Sequence, residues 1–481
     1  MANSRKSRSP SRNDAGSLTT AFETALADIA ARVAISGADP RIAVAFSGGL
    51  DSSVLLHLAS GYARERHLAL TAFHVHHGLS PNADAWLAHC EQAAAACGVP
   101  LVWRQVEVSD DSGRGIEEAA RIARYRALGE MCRESGCRLL LTAHHQDDQA
   151  ETVLLQLLRG AGVAGLSGMD ACNTAPALLG DPALMMGRPL LTASRAALEL
   201  FAGAHGIDHV DDPSNDDPRY ARNALRHRVM PVLAEGFPGF AQRFARSARH
   251  AASAQQLLVE LAEQDFAACT EGDALDIDRF RCMSPARSDN LLRYWFARRG
   301  MRMPSTAWLE ELRSQLLGAK ADAQILVGHP DCEIHRHRNR IVMTPRRALP
   351  DPEQDQAMFC WNGAARMAFP AFGGSLHFES AEQGVDADWL RTQSLALHWR
   401  TGGWRLKPAA NRPTRSLKYH YQAADVPAWE RNHLPLVSIG PQLLYAAGIG
   451  MDCHHFSQGD GVRISLRWEA DTGIKTASAT A

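Results

Sequence analysis

From residue 18 to 217, short apolar runs alternate with stretches whose apolar positions recur every three or four residues. The runs at 41–46, 68–75, 101–106 and 138–142 predict buried strands, and the stretches at 18–34, 52–63, 82–96, 116–134 and 147–158 predict helices. In the second of these helices Val54, Leu55, Leu58 and Ala59 share one face. Strand and helix keep alternating, so the expected architecture is a Rossmann-like α/β domain with a parallel sheet covered on both faces. The alternation stops at Asp211-Asp212-Pro213-Ser214-Asn215, whose proline and aspartates predict a loop.

Residues 218–347 read as a mainly helical, basic domain: helical from 221 to about 272, with shorter helices at 289–299 and 306–317. Strands are expected at 324–327 and 340–344. Residues 348–364 read as a linker and 365–470 as a small α+β domain. Residues 1–17, polar and basic, and residues 471–481 are expected to be disordered tails.

Composition narrows the function classes. The chain has 481 residues, 46% hydrophobic and 22% charged, which is ample for globular cores. No apolar run is long enough to span a bilayer, and the N-terminus lacks the apolar core of a secretory signal. Ten cysteines without CxxC spacing suit the reducing cytoplasm, the expected location. Cys453-His454-His455 lacks further metal ligands and reads as structural.

The net charge of −2 means that affinity for nucleic acid must come from local patches. Two exist. Between Arg219 and His250 there are seven arginines (219, 222, 226, 228, 243, 246, 249) against Glu235 alone. Between Arg391 and Arg431 eight basic residues face Asp425 and Glu430. Trp399, Trp404, Tyr419, Tyr421 and Trp429 are interleaved with the second patch; most should be core, and one or two exposed rings would suffice to stack on bases.

The chemistry concentrates at Ser47-Gly48-Gly49-Leu50-Asp51-Ser52, between the strand at 41–46 and the helix that follows. Gly48 and Gly49 permit backbone angles closed to other residues, and the helix start offers free N–H groups and a positive dipole end to a phosphate. Ser47 and Ser52 add hydroxyl donors. Asp51 would repel a phosphate, so it is expected to hold Mg²⁺ or orient the loop. No Gly-Lys-[Ser/Thr] follows, so this is not a Walker A loop.

The loop resembles the PP-loop of the ATP pyrophosphatase superfamily, and further segments resemble its tRNA(Ile)-lysidine synthetase family. They are His74-Val75-His76-His77-Gly78-Leu79, with His76 where the family pattern has Asn, and Arg121-Ile122-Ala123-Arg124-Tyr125. The run Ala143-His144-His145-Gln146-Asp147-Asp148, completed by Glu151-Thr152, is the closest match. Arg188-Pro189-Leu190-Leu191, Asp212-Pro213-Ser214-Asn215 and Arg222-Asn223-Ala224-Leu225-Arg226 also match, as does Val426-Pro427-Ala428-Trp429-Glu430-Arg431.

The resemblance implies a ligase that takes ATP with Mg²⁺, L-lysine and the tRNA(Ile) bearing a CAU anticodon. The wobble cytidine is adenylated with release of pyrophosphate, and lysine then displaces AMP, changing codon specificity from AUG to AUA. A homodimer is left open. The nucleotide site is expected at Ser47, Gly48, Gly49, Leu50, Asp51, Ser52 and His74. Catalytic roles are expected for Asp51, Asp148, Arg124 and His144, with Asp51 and Asp148 also expected as Mg²⁺ ligands. Without the family, one aspartate of the Asp147-Asp148 pair, Asp147 first, reads as a helix cap. Two rival readings are another PP-loop enzyme, such as a tRNA thiolase, for which no paired cysteines are positioned, and a non-catalytic RNA-binding protein.

Overall fold

Strand β1 (Arg41–Ala45) runs through the middle of a sheet because its residues are apolar on both faces. Ile42 and Val44 pack into one core and Ala43 into another on the opposite face. The structure, a computed structural model, describes residues 12–33, 41–78, 81–108, 116–211, 221–319, 325–346 and 356–471. It forms two compact units, 1–261 and 262–481.

In the first unit the chain order is α1 (Arg12–Val33), β1, α2 (Leu50–Arg66), β2 (Ala69–His76), α3 (Ala83–Ala96), β3 (Leu101–Gln105), α4 (Ile116–Glu134), β4 (Leu139–Leu141) and α5 (Gln146–Leu158). Then come α6 (Val163–Leu166), β5 (Cys172–Thr174), α7 (Pro176–Leu179), β6 (Met185–Gly187) and α8 (Arg195–His205). The sheet order is β3-β2-β1-β4-β6-β5, parallel throughout except for the β5–β6 pair. β1 and β4 are neighbours although distant in sequence. The strand order therefore switches between them, and the crevice beyond their carboxyl ends is where open α/β sheets bind ligands. Both motif loops, after β1 and after β4, emerge there.

Three expectations are corrected. Residues 12–17, expected in the N-terminal tail, are the start of α1. The helix expected over 221–272 is broken into α9 (Ala221–Ala224), a π-helical turn (Leu225–Val229), α10 (Met230–Gly236) and α11 (Phe240–Cys269). Pro238 lacks an N–H and Gly239 sits at φ +79°, which ends α10 and starts α11. Within the expected linker 348–364, residues 356–359 pair antiparallel with 395–398, and Trp361 is buried. The remainder of the N-terminal tail, most of the C-terminal tail, the linker up to 355 and the Asp212–Asn215 motif lie outside the described residues.

In the second unit, β7 (Thr270–Glu271), β8 (Ala274–Asp276), β9 (Ile325–Gly328), β10 (Cys332–His337) and β11 (Arg340–Pro345) form an antiparallel sheet, β7-β8-β11-β10-β9. It shares a core with three helices, Ile277–Arg281, Pro285–Arg298 and Thr306–Gly318. The expected strands at 324–327 and 340–344 are β9 and β11. The remaining strands form a five-stranded, a three-stranded and a two-stranded antiparallel sheet, with a core containing Trp399 and Tyr421. Of the interleaved aromatics Tyr419 is exposed, with the Arg415 guanidinium 5.4 Å from its ring centroid. Trp429 instead stacks on His335 at 4.1 Å. No helix among the described residues is long and apolar enough to cross a membrane.

Candidate active site

The loop after β1 is closed by its own hydrogen bonds. The Ser47 amide donates to Ser52 Oγ (3.3 Å), Ser52 Oγ donates to the Gly49 carbonyl (2.9 Å), and the Ser47 and Ser52 hydroxyls lie 3.0 Å apart. Ser53 Oγ donates to the Gly48 carbonyl (3.2 Å), which also accepts the Val210 amide (3.0 Å). The expected free hydroxyl donors thus spend much of their capacity shaping the loop. Gly49 is the N-cap of α2, and no side chain caps that end, which leaves backbone N–H groups for an anion. Leu50 is buried in the core and anchors the turn.

Gly48 has φ +83°, and a Cβ there would lie 2.9 Å from Cys90 Sγ and 3.2 Å from Val210 Cγ2. We predict that Gly48→Ala costs about 1–3 kcal/mol of stability from backbone strain alone and displaces the loop. A urea midpoint and an ATP titration both unchanged from wild type would show the prediction wrong.

His74 is buried, and its ring Nδ1 lies 3.0 Å from the Phe46 carbonyl. Burial lowers its pKa, so it is neutral and donates that bond. His74 therefore fixes the chain just before the loop. Burial, with Glu91 adding, pushes the neighbouring Cys90 thiol up to about 12.

The loop after β4 supplies the charged groups. His145 is the N-cap of α5: its Nδ1 accepts the Asp147 amide (3.2 Å), while its own amide donates to Asp148 Oδ2 (3.0 Å). Asp148, not Asp147, completes this reciprocal cap. Asp147 Oδ2 accepts the Arg195 amide at the start of α8 (2.8 Å). His145 Nε2 lies 3.6 Å from Asp51 Oδ2 and 3.4 Å from Asp148 Oδ2, and Nδ1 lies 3.7 Å from Asp147 Oδ2. The side chain of His145 thus joins both motif loops.

Burial disfavours charge on His145, but Asp147, Asp51 and Asp148 together outweigh it and raise its pKa to about 10. The cap and the proton compete for Nδ1, whereas Nε2–H toward Asp51 and Asp148 is common to both states. The folded pKa lies above the unfolded value of about 6.5, so this contribution to stability is full below that pH and is lost as pH rises through about 10. The stability advantage of wild type over His145→Gln should therefore shrink from pH 7 to pH 10. Parallel stability–pH curves from urea unfolding would contradict this.

His144 behaves oppositely. Burial and the surrounding arginines outweigh Asp148 and hold it well below its ordinary pKa, so it is neutral, with Nδ1 3.0 Å from Thr142 Oγ1. Asp148 is partly buried, yet the adjacent histidines and Arg222 outweigh that burial and lower its pKa.

Four arginines complete the site. Arg195 Nη1 contacts Asp51 Oδ2 (2.7 Å), and Arg226 Nη2 contacts Asp148 Oδ1 (3.1 Å). Arg222 and Arg226 both pair with Glu151, whose side chain is 2% exposed. Two members of the first basic patch thus point at the charged cluster rather than forming a solvated face. Arg188, buried, donates to the Asp170 carbonyl (2.7 Å) and Asn173 Oδ1 (2.6 Å). Beside His144 lies a cavity of about 280 Å³, lined in part by Arg121, Tyr125, Thr152, Arg188 and Arg222. Arg124, expected in a catalytic role, is not among its lining residues; its guanidinium lies 5.3 Å from the Tyr125 ring centroid.

Glu151, Arg188, Arg195, Arg222 and Arg226 were not singled out as site residues. All but Arg195 lie in the motifs quoted above, but charge alone names no partner.

A helix N-terminus after β1, joined to a His-Asp cluster after β4 at the switch point of the sheet, defines a PP-loop protein. A family model described as PP-loop domain matches residues 18–233, one described as TilS substrate binding domain matches 275–342, and one described as TilS substrate C-terminal domain matches 395–468. A protein of Ralstonia nicotianae named tRNA(Ile)-lysidine synthase is 42% identical over 440 residues, covering 90% of this chain and 93% of that one. A protein of Burkholderia mallei with the same name is 41% identical over 466 residues, covering 90% and 94%. The chain belongs to the tRNA(Ile)-lysidine synthase family.

Proposed function

We propose that the chain is an AMP-forming ligase that joins L-lysine to the wobble cytidine of the CAU-anticodon tRNA(Ile). The observation that carries this reading is the meeting of Asp51, His145 and Asp148 within 3.4–3.6 Å beside the uncapped start of α2. That arrangement suits a nucleotide triphosphate at one end and a cationic amine at the other.

In the first step the cytidine ring oxygen attacks the α-phosphate of ATP; an O–P bond forms and the bond to the β-phosphate breaks. The free N–H groups at α2 are suited to the charge that develops on the departing pyrophosphate. Asp51 Oδ1 is buried and has no hydrogen-bond partner among the described residues. That orphaned oxygen fits a Mg²⁺ ligand, with Asp148 as the second candidate. When bound, Mg²⁺ would supply charge neutralisation at the phosphates.

In the second step the lysine side-chain nitrogen attacks the activated ring carbon, an N–C bond forms and AMP leaves with the oxygen. The amine must lose a proton. Asp148 has a depressed pKa, which suits it to hold the incoming ammonium by charge. An ammonium has no lone pair, so the nitrogen first gives up one proton, for which Asp148 is the candidate acceptor; once the N–C bond forms, the now far more acidic nitrogen releases its second proton. The adjacent cavity offers the guanidinium groups of Arg121, Arg188 and Arg222 to a carboxylate, and the apolar walls of Leu155, Leu178 and Met186 to an aliphatic chain. A free amino acid fits that combination.

The test is AMP release measured with lysine, tRNA or both omitted. The reading expects release only with lysine and the CAU-anticodon tRNA together. AMP formation that needs tRNA but ignores lysine would overturn the lysine assignment and leave the adenylating site standing.

A further inference from the structure

Helix α10 ends in a turn with an unusual distribution of side chains. The Phe237 amide donates to the Leu233 carbonyl (2.8 Å). The Phe237 carbonyl accepts the Phe240 amide (3.0 Å) and Arg243 Nη2 (3.0 Å). The backbone of Phe237-Pro238-Gly239 is therefore fixed. Yet the Phe237 residue is 62% exposed, and Val232, on the preceding turn of α10, is 66% exposed.

The next residues point inward. Phe240 and Ala241 are buried with Met230 against Ala150 of α5, and Leu154, Leu233 and Phe244 pack around them. The turn is thus mounted on the helix that carries Asp148 and Glu151.

The surroundings are cationic. Arg228, Arg243, Arg246 and Arg249 are exposed, and none makes an ion pair among the described residues. Glu235 is the sole acid between 221 and 250. An exposed aromatic ring on a fixed backbone, in a segment rich in exposed arginines, complements a planar base on a phosphate backbone. Duplex RNA keeps its bases stacked inside, so the partner must offer an unpaired base.

We propose that the Phe237 turn is a base-stacking platform for an unpaired nucleotide in the loop of the RNA substrate. Arg228, Arg243, Arg246 and Arg249 bind that loop's phosphates. This rests on the tRNA reading above. Its consequence is that the stretch of RNA beside the reacting nucleotide is held by a turn that moves with the catalytic helix.

The experiment measures affinity of the full chain for a CAU anticodon stem-loop and for a duplex RNA of equal length, across a salt series. Phe237→Ala should weaken stem-loop binding about 5- to 100-fold and leave duplex binding unchanged. The slope of log affinity against log salt should stay at its wild-type value, because stacking releases no counterions. Phe237→Trp should restore affinity and Phe237→Leu should not. Arg246→Gln should instead reduce the slope by roughly 0.7–0.9. An unchanged melting temperature and ATP affinity for Phe237→Ala confirm that the fold is intact.

Stem-loop affinity within twofold of wild type for Phe237→Ala overturns the platform alone. So does an equal loss on stem-loop and duplex, or a change in sedimentation that marks the turn as a contact between copies. If the wild-type chain binds neither RNA, the tRNA reading falls with it.

Discussion

Asp51→Asn should fold normally and release AMP about a hundred- to a thousandfold more slowly than wild type. The two halves of that expectation have separate causes. Asp51 Oδ2 pairs with Arg195 at 2.7 Å, but Arg195 also holds Glu199 at 3.1 Å, so removing the Asp51 charge does not strand a cation. Both side chains are part-exposed, and such pairs contribute about 0–1 kcal/mol. The pair with Arg195 therefore adds little to the fold, and Asp147 and Asp148 still hold the charged His145 when Asp51 is made neutral.

The chemistry is not. Asp51 sits in the first turn of α2, at the end that offers N–H groups to phosphate. It also faces His145 Nε2, and its Oδ1 has no partner among the described residues. An uncompensated buried carboxylate oxygen in that position is costly unless something cationic meets it during the reaction. A urea midpoint close to wild type with AMP release reduced at least a hundredfold is the expected pair of results. Turnover within threefold of wild type, at the same Mg²⁺ requirement, would remove Asp51 from the chemistry.

Much of the first unit was legible because β1, β2 and β4 are largely buried and read as apolar runs; β3, expected to be buried, is an edge strand with Val102 and Trp103 exposed. β1 and β2 fall within two residues of the expected bounds, and α4 matches at both ends. β5 and β6 were not predicted, because three residues such as Cys172–Thr174 are too short to show a period. The break before α11 hinged on Pro238-Gly239, which the charge pattern around it obscured.

At the site, motif residues located the two loops, yet the division of labour inside them needed geometry. Asp147 read as the cap, but with His145 as N-cap the third helical residue is Asp148, so the cap falls there. Arg226 lies 78 positions from Asp148 and counted as one of seven arginines in a basic stretch. A charge count carries no information about which of its members turn inward.

The inward pair makes the largest stability prediction. Glu151 is almost completely buried on α5, and a lone buried carboxylate would shed its charge or unfold its surroundings. Arg222 Nε meets its Oε2 at 2.9 Å, Arg226 Nε meets Oε1 at 2.7 Å, and Arg226 Nη2 meets Oε2 at 3.0 Å. The two arginines stand four apart, one on α9 and one in the π-helical turn, so both reach a single carboxylate. Arg222 Nη2 also donates to Thr152 Oγ1 (3.1 Å) and to the Asp148 carbonyl (3.2 Å).

Glu151→Gln keeps the shape and removes the charge, leaving two guanidinium groups facing an amide. Breaking a fully buried pair typically costs about 3–5 kcal/mol; here the guanidinium groups keep about a third of their exposure, so about 2–3 kcal/mol is expected. The loss should be read as a shift in the urea midpoint at constant slope. Arg226→Met in the Glu151→Gln background should then cost less than Arg226→Met alone, with a coupling of about 0.5–3 kcal/mol. Additive losses, or a single-variant loss below about 0.5 kcal/mol, would mean that this cluster is held by packing and that its charges are incidental to the fold.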